Sequence, residues 1–228
     1  MDPQPHVLDR PIWTALTTRH SGLALGGPLA KRYPGDVSLF TAAKDDSDEC
    51  LTAVAALAAP DETMLMVQAG PIRLPPGFTE VSSADLVQMV ASQPFIQVQD
   101  GEILPLGAGD AEEMLALATL TKPGPFSLKA QSFGDFWGLK SNGRLIAMAG
   151  ERLKAPGFTE LSSVCVHPDF QAKGLGRRLS LYVGGQISAR GTVPFLHSYA
   201  VNTKAIGLYE SIGFRVRKEL KVMVVRKG

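Results

Sequence analysis

The stretch LSSVCVHPDFQAKGLGRRLSLYVGGQI, residues 161–187, limits the possible folds more than any other part of the chain. A β-branched strand pattern leads through a proline turn directly into a helix. Leu175, Leu179, Val183 and Ile187 recur every four residues and form one apolar stripe that should lie against a sheet. Gly174 and Gly176 stand where that helix begins, although a glycine within a helix costs about 1 kcal/mol relative to alanine. A bare backbone there has another use. The first-turn N–H groups of a helix lack intrahelical partners, and the helix dipole adds positive potential. Without side chains at 174 and 176, phosphate oxygens can approach those groups closely. Arg177 and Arg178 add positive charge. A pyrophosphate is the ligand this pattern favours. Taken alone, the pattern also fits a tight strand-to-helix turn with no ligand.

Two familiar phosphate loops do not match. A nucleotide-binding P-loop ends in Gly-Lys-Ser/Thr, whereas Gly176 is followed by two arginines. The dinucleotide fingerprint needs a third glycine, and Leu179 occupies that position.

The flanking chain divides in two. Residues 1–98 read as a helix over 10–20 with Pro11 in its first turn, a strand over 37–43, a helix over 47–59 stopped by Pro60, and a strand in ETMLMVQAG. DLVQMVAS is ambiguous between strand and helix. Residues 103–228 carry the denser signals. Asp110 and Glu113 have capping-box spacing ahead of a helix that should end near Thr121. Asn142-Gly143 between apolar runs predicts a hairpin. FTELSSVCV is the next strand, PFLHSYA a strand after the central helix, NTKAIGLYESIGF a helix, and FRVRKELKVMVV one or two closing strands.

Composition narrows the partners. The chain has 23 basic and 22 acidic residues, so no charge excess points to nucleic acid or a membrane surface. The N-terminal residues lack the basic-then-apolar layout of a leader, and no apolar run is long enough to span a bilayer. Two cysteines, Cys50 and Cys165, allow neither a disulfide framework nor a cysteine-based zinc site. A reducing cytoplasm is the expected compartment.

The segment VCVHPDFQAKGLGRRL, with Gln171, Gly174 and Gly176, resembles the acyl-CoA pyrophosphate loop of the GNAT N-acetyltransferase superfamily. Asn202, Ala205, Leu208, Tyr209, Gly213 and Phe214 resemble that superfamily's next segment, in the expected order and at roughly the expected distance. The resemblance covers about residues 103–228 and is nearest to the group related to glycine N-acyltransferases. It implies an α/β fold: a mixed, mostly antiparallel sheet flanked by helices, with a catalytic domain at 103–228 and a degenerate GNAT-like N-terminal half at 1–98.

The resemblance also implies an acetyl-CoA-dependent N-acetyltransferase acting on a primary amine by direct attack, with no metal. Acetyl-CoA and the amine are the expected partners. A homodimer is left open. Cofactor contacts are expected from Val164, Cys165 and Val166 on the strand, from Gln171, Ala172, Lys173, Gly174, Leu175, Gly176 and Arg177 in the loop, and from Asn202. A strand bulge is expected at Ser162-Ser163. Cys165 reads as core rather than nucleophile. Tyr209 matches the tyrosine that protonates the leaving thiolate, its alternative role being core packing. Glu160 is a candidate base, or else a solvated strand-end charge. His197 is a weaker candidate base, and His167 reads as part of the turn. The rival reading is a non-catalytic acyl-CoA sensor, which would keep the loop and lose the chemistry.

Overall fold

The computed structural model describes residues 6–228, so the first five residues of the stretch read for a leader lie outside it. The N-terminal segment holds α1 (Pro11–Thr17), β1 (Leu25–Gly26), β2 (Ala30–Arg32), β3 (Thr41–Ala43), α2 (Asp48–Ala56), β4 (Thr63–Gln68) and β5 (Phe78–Ala91). It is followed by β6 (Leu104–Leu106), α3 (Ala111–Thr121), β7 (Phe136–Ser141), β8 (Arg144–Ala155) and β9 (Phe158–Val166). The chain closes with α4 (Leu175–Ala189), β10 (Val193–Tyr199), α5 (Thr203–Ser211) and β11 (Phe214–Lys227). Among the described residues no helix is long and apolar enough to cross a membrane.

Local chemistry sets many of the boundaries. Pro11 opens α1, and the Ser47 side chain accepts the Cys50 N–H at the start of α2. Asn142 and Gly143 both take positive φ and join β7 to β8, as the hairpin signal requires. Asn202 caps α5 by accepting the Ala205 N–H at 3.1 Å. The capping box expected at Asp110 does not form. Its carboxylate accepts instead from the Gly107 N–H at 2.8 Å and from Lys140 at 2.7 Å, while Glu113 also turns to Lys140. A lysine from the neighbouring strand outcompetes the local cap.

Eight strands form one mixed, mostly antiparallel sheet in the order β4-β11-β5-β10-β9-β8-β7-β6. The ambiguous DLVQMVAS is the end of the long strand β5, which lies between β10 and β11. Residues 98–103 therefore mark a change of chain segment and not of sheet, since β4 and β5 share the sheet of residues 104–228. FRVRKELKVMVV is one continuous strand, which pairs with β5 on one side and β4 on the other.

Helix α4 covers one sheet face. Leu179, Val183 and Ile187 are fully buried against Met89, Ala147, Leu161, Leu196 and Phe214. The glycines inside α4 have a packing cause. The segment after β5 crosses this helix so closely that a Cβ on Gly185 would lie 2.7 Å from the Ile96 carbonyl oxygen. The opposite face packs on α1 through Ile12 and Leu16, with Leu8 just ahead of that helix, and on α3 through Met114 and Leu117.

Beside α1, His20 is buried. Its Nδ1 meets the Tyr33 hydroxyl at 2.8 Å, and its Nε2 has no partner among the described residues. Burial, reinforced by Lys154, lowers its pKa to about 4. Between about pH 6.5 and pH 4 the unfolded chain binds a proton that the folded chain excludes. This contribution is therefore complete above about pH 6.5 and is lost as the pH falls towards 4, at about 1.4 kcal/mol per unit. In denaturant titrations across that window, His20→Gln should flatten the dependence of unfolding free energy on pH by about one proton. Equal slopes for the two proteins would contradict the assignment.

Candidate active site

β9 and β10 are parallel neighbours only from Phe158↔Val193 to Glu160↔Phe195. Beyond that point they separate, and a cavity of about 230 Å³ lies between them. This is below the roughly 300 Å³ of a typical small-ligand pocket, so it suits the reacting ends of two substrates rather than a whole nucleotide. Ser162, Ser163 and Val164 line one edge, while Ser198, Tyr199 and Tyr209 line the other.

Two bulges shape the opening. Pairing jumps from Met148↔Cys165 to Gly150↔Ser162, leaving Ser163 and Val164 opposite one residue of β8, with Ser163 at φ +54°. This is the bulge expected at Ser162-Ser163. A second slip, between Glu151↔Leu161 and Lys154↔Thr159, sets Arg152 and Leu153 opposite Glu160.

The loop 171–174 is exposed. Gly174 takes φ +74° as the residue before α4, which favours glycine, and a Cβ there would touch no protein atom within 4 Å. No side chain caps α4. A Cβ on Gly176 would lie 3.7 Å from Val166 and 3.8 Å from Val164, which connects the helix start to the cavity edge. Gln171, Ala172 and Arg177 are exposed, Leu175 is half-buried, and Lys173 sits 4.7 Å over the Phe170 ring. Arg178 departs from the expectation of a free charge. It donates to both oxygens of Asp100 at 2.7 and 2.6 Å and to Glu102 at 2.6 Å. His167 is part of the turn, its Nδ1 accepting the Asp169 N–H at 3.3 Å.

Asn202, Ala205 and Tyr209 bring α5 into the cavity wall. Tyr209 also packs edge-on to Phe214 at 5.9 Å, so it both packs and borders the cavity. Burial raises its pKa to about 12. Cys165 is 1% exposed and packs with Met114 and Leu117 on the α3 side. Burial pushes its thiol up to about 12, so it is a protonated core residue.

Glu160 is not a solvated charge. It is 0% exposed, and its oxygens accept from Arg152 Nε at 2.9 Å, Arg152 Nη2 at 2.6 Å, the Leu153 N–H at 3.1 Å and His197 Nδ1 at 2.7 Å. Burial alone would raise its pKa, but the Arg152 guanidinium and His197 outweigh that and hold it far below the ordinary carboxylate range.

His197 is equally engaged. Gln88 Nε2 lies 2.9 Å from His197 Nε2 and also donates to the Leu8 carbonyl at 3.0 Å. Gln88 Oε1 accepts from Arg217, which fixes the amide orientation. The imidazole thus donates from Nδ1 to Glu160 and accepts at Nε2. Sequence reading missed Arg152, Gln88 and Phe40, which the bulge and the inserted β5 bring here. Nothing local separates Arg152 from the other charges of β8.

Arg152→Met alone leaves a buried, uncompensated carboxylate and should cost about 3–5 kcal/mol of stability. Combining it with Glu160→Gln should recover most of that loss in denaturant titrations. Equal losses for the single and double variants would contradict the pairing.

Comparison with known proteins agrees with this geometry. A family model described as FR47-like protein matches residues 137–223. The crystal structure of a GNAT-family protein from Novosphingobium aromaticivorans superposes with a TM-score of 0.92 at 38% identity, covering 98% of this chain and 100% of that one. A [ribosomal protein bS18]-alanine N-acetyltransferase of Salmonella typhimurium is 46% identical over 55 residues, 24% of this chain and 37% of that protein. The N-alpha-acetyltransferase RimI of Mycobacterium tuberculosis is 36% identical over 89 residues, 38% of this chain and 55% of that protein. The chain thus spans about half or less of the length of these curated relatives.

Proposed function

This chain belongs to the GNAT family of acetyltransferases, and on that premise we propose that it transfers an acetyl group from acetyl-CoA to a primary amine by direct attack, without a covalent enzyme intermediate. The observation that carries this reading is the single continuous edge formed by the uncapped start of α4, Val164 and Val166, and the cavity holding Tyr209.

The residues present fit the cosubstrate. The N–H groups at Gly174, Leu175 and Gly176 are free of any side-chain cap and are proposed to hold its pyrophosphate, with Gln171, Ala172, Lys173 and Arg177 around it. The backbone of Val164, Cys165 and Val166, on a strand edge that has left its neighbour, is proposed to hold the pantetheine arm and polarise the carbonyl oxygen. Asn202 is proposed to touch the same arm while capping α5. Bound acetyl-CoA supplies the activated acyl thioester. Tyr209 is proposed to donate its phenolic proton to the departing sulfur; a pKa near 12 keeps that proton available throughout the neutral range.

Glu160 is better assigned as a positioning residue that holds Arg152 and His197. A carboxylate with a strongly lowered pKa and every oxygen engaged is a poor proton acceptor. Neither nitrogen of His197 is free for that task. The amine is therefore proposed to arrive neutral or to lose its proton to water.

Residues 1–98 are proposed to act as an acceptor-side segment, because Phe40, Leu65, Val67 and Leu86 reach the cavity. This two-segment build supports a finer kinship with the group related to glycine N-acyltransferases. A cytoplasmic location rests on the two free, buried cysteines.

Release of coenzyme A thiol with a mixed amine panel tests the activity. Binding without turnover on any amine would favour the sensor reading instead. Gly174→Asp places a carboxylate in the proposed anion site and should lower acetyl-CoA affinity at least tenfold by calorimetry, while the positive φ at 174 costs stability on the order of 1 kcal/mol and the fold is retained; unaltered affinity would remove the loop from the site. Tyr209→Phe should lower kcat by about 10²-fold or more, and wild-type turnover would end its role as acid. With no enzyme base, kcat/KM should rise with pH at unit slope up to the amine's own pKa. A plateau near pH 6–7 would instead reveal a base.

A further inference from the structure

The cavity has two unlike ends. Ser162, Ser163, Asn202 and Tyr209 lie towards the strand edges. Phe40, Leu65, Val67, Leu86 and Val222, from the N-terminal segment and β11, give it an apolar patch. Arg152, set opposite Glu160 by the register slip in β8, also lines the cavity. Two of its nitrogens, Nε and Nη2, are committed to Glu160. Nη1 has no hydrogen-bond partner among the described residues and lies 3.9 Å from where a Cβ on Gly124 would sit, beside the loop that borders the cavity. The guanidinium carbon is held 5.2 Å over the Phe40 ring, so the free nitrogen is fixed in place beside the apolar patch.

The charges have one sign. Among the described residues, Lys122 and Arg152 line the cavity, and no aspartate or glutamate does. Glu160 sits behind Arg152 and balances it, which leaves Lys122 as a net positive charge on the wall. Such a wall disfavours a polyamine, whose additional ammonium groups would find no carboxylate. An oxyanion, in contrast, meets a preorganised planar donor.

We propose that the acceptor is an apolar amino acid: a primary amine whose carboxylate is bound by Nη1 of Arg152 and whose hydrophobic body lies on Phe40, Leu65, Val67, Leu86 and Val222. This rests on the acetyl-transfer reading and assigns Arg152 as its specificity-determining residue. The N-terminal segment then supplies the acceptor pocket, and the C-terminal segment the cosubstrate site.

The test compares leucine with leucinamide, phenylalanine with phenylalaninamide, and both amino acids with glycine and spermidine, at equal concentrations of neutral amine and saturating acetyl-CoA. Removing the negative charge should lower kcat/KM at least about tenfold, the scale of a lost hydrogen bond to a charged group. Leucine should also exceed glycine at least tenfold. In Arg152→Met/Glu160→Gln, where no buried charge is stranded, leucine and leucinamide should come within about threefold of each other. Equal turnover of acid and amide by the wild type, a preference for spermidine, no turnover of leucine or phenylalanine, or an unchanged acid-to-amide ratio in the double variant would each overturn the proposal. Calorimetry with acetyl-CoA on the same protein separates the two levels. Absent binding defeats the acetyl-transfer reading itself, whereas normal binding with the wrong amine preference defeats only the acceptor assignment.

Discussion

A carboxylate taken wholly out of water must be answered by donors, and at Glu160 those donors come from two other strands. Arg152 and the Leu153 N–H belong to β8, and His197 belongs to β10. His197 passes the constraint to Gln88 on β5, and Gln88 to Arg217 on β11. Arg217 ends on Asp9, ahead of α1, at 2.6 Å. One connected network thus ties five adjacent strands to the N-terminal segment. Breaking it at Glu160, His197 or Gln88 would strand a buried polar group, at a cost well above the net worth of one hydrogen bond.

The network lies where β9 and β10 part. Parallel pairing ends at Glu160↔Phe195, and the polar cluster is the last tie between the two strands. Past it, the bulge at Ser163 turns β9 away, and the strand edges are free to face a ligand. The opening is therefore held on rigid elements with satisfied polar supports, which suits a site that must align two reactants within a few tenths of an ångström. The same arrangement supports the proposed positioning role of Glu160 and His197, because their lone pairs are all engaged by neighbouring donors.

What could be read from the sequence was the short-range chemistry. The glycine at 174, the Asn142-Gly143 hairpin, the Asn202 cap and the stripe on α4 each depend on residues within a few positions of one another, whereas the bulge near Ser163 is expected from the family resemblance. Failures came where a distant residue intervened. Lys140 drew Asp110 and Glu113 away from a capping box, and Asp100 with Glu102 neutralised Arg178. Gly184-Gly185 in mid-helix have a cause that is likewise distant in sequence, the close crossing of residues 95–97. Least legible was β5. Its place between β10 and β11 is a long-range pairing, and its apolar run fits more than one period. With β5 unplaced, Gln88 and Leu86 could not be assigned to the site, and no local signal marks Arg152 on β8.

Inserting β5 has a functional consequence beyond added sheet. It carries Leu86 to the cavity and, through β11 and β4, brings Val222, Leu65 and Val67 alongside. The surface facing the splayed strands is thus built mostly by residues distant in sequence from the glycine loop. On the proposed reading, separate segments serve separate recognition tasks: a helix terminus and strand edge for an anion, and an apolar wall with one anchored arginine for the acceptor. Substitutions in residues 40–86 can reshape that wall without disturbing the backbone amides at 174–176. The proposed acceptor answers both features of the cavity, because a purely apolar amine would leave Arg152 Nη1 unpaired and a purely polar one would leave Phe40 and Leu65 against water.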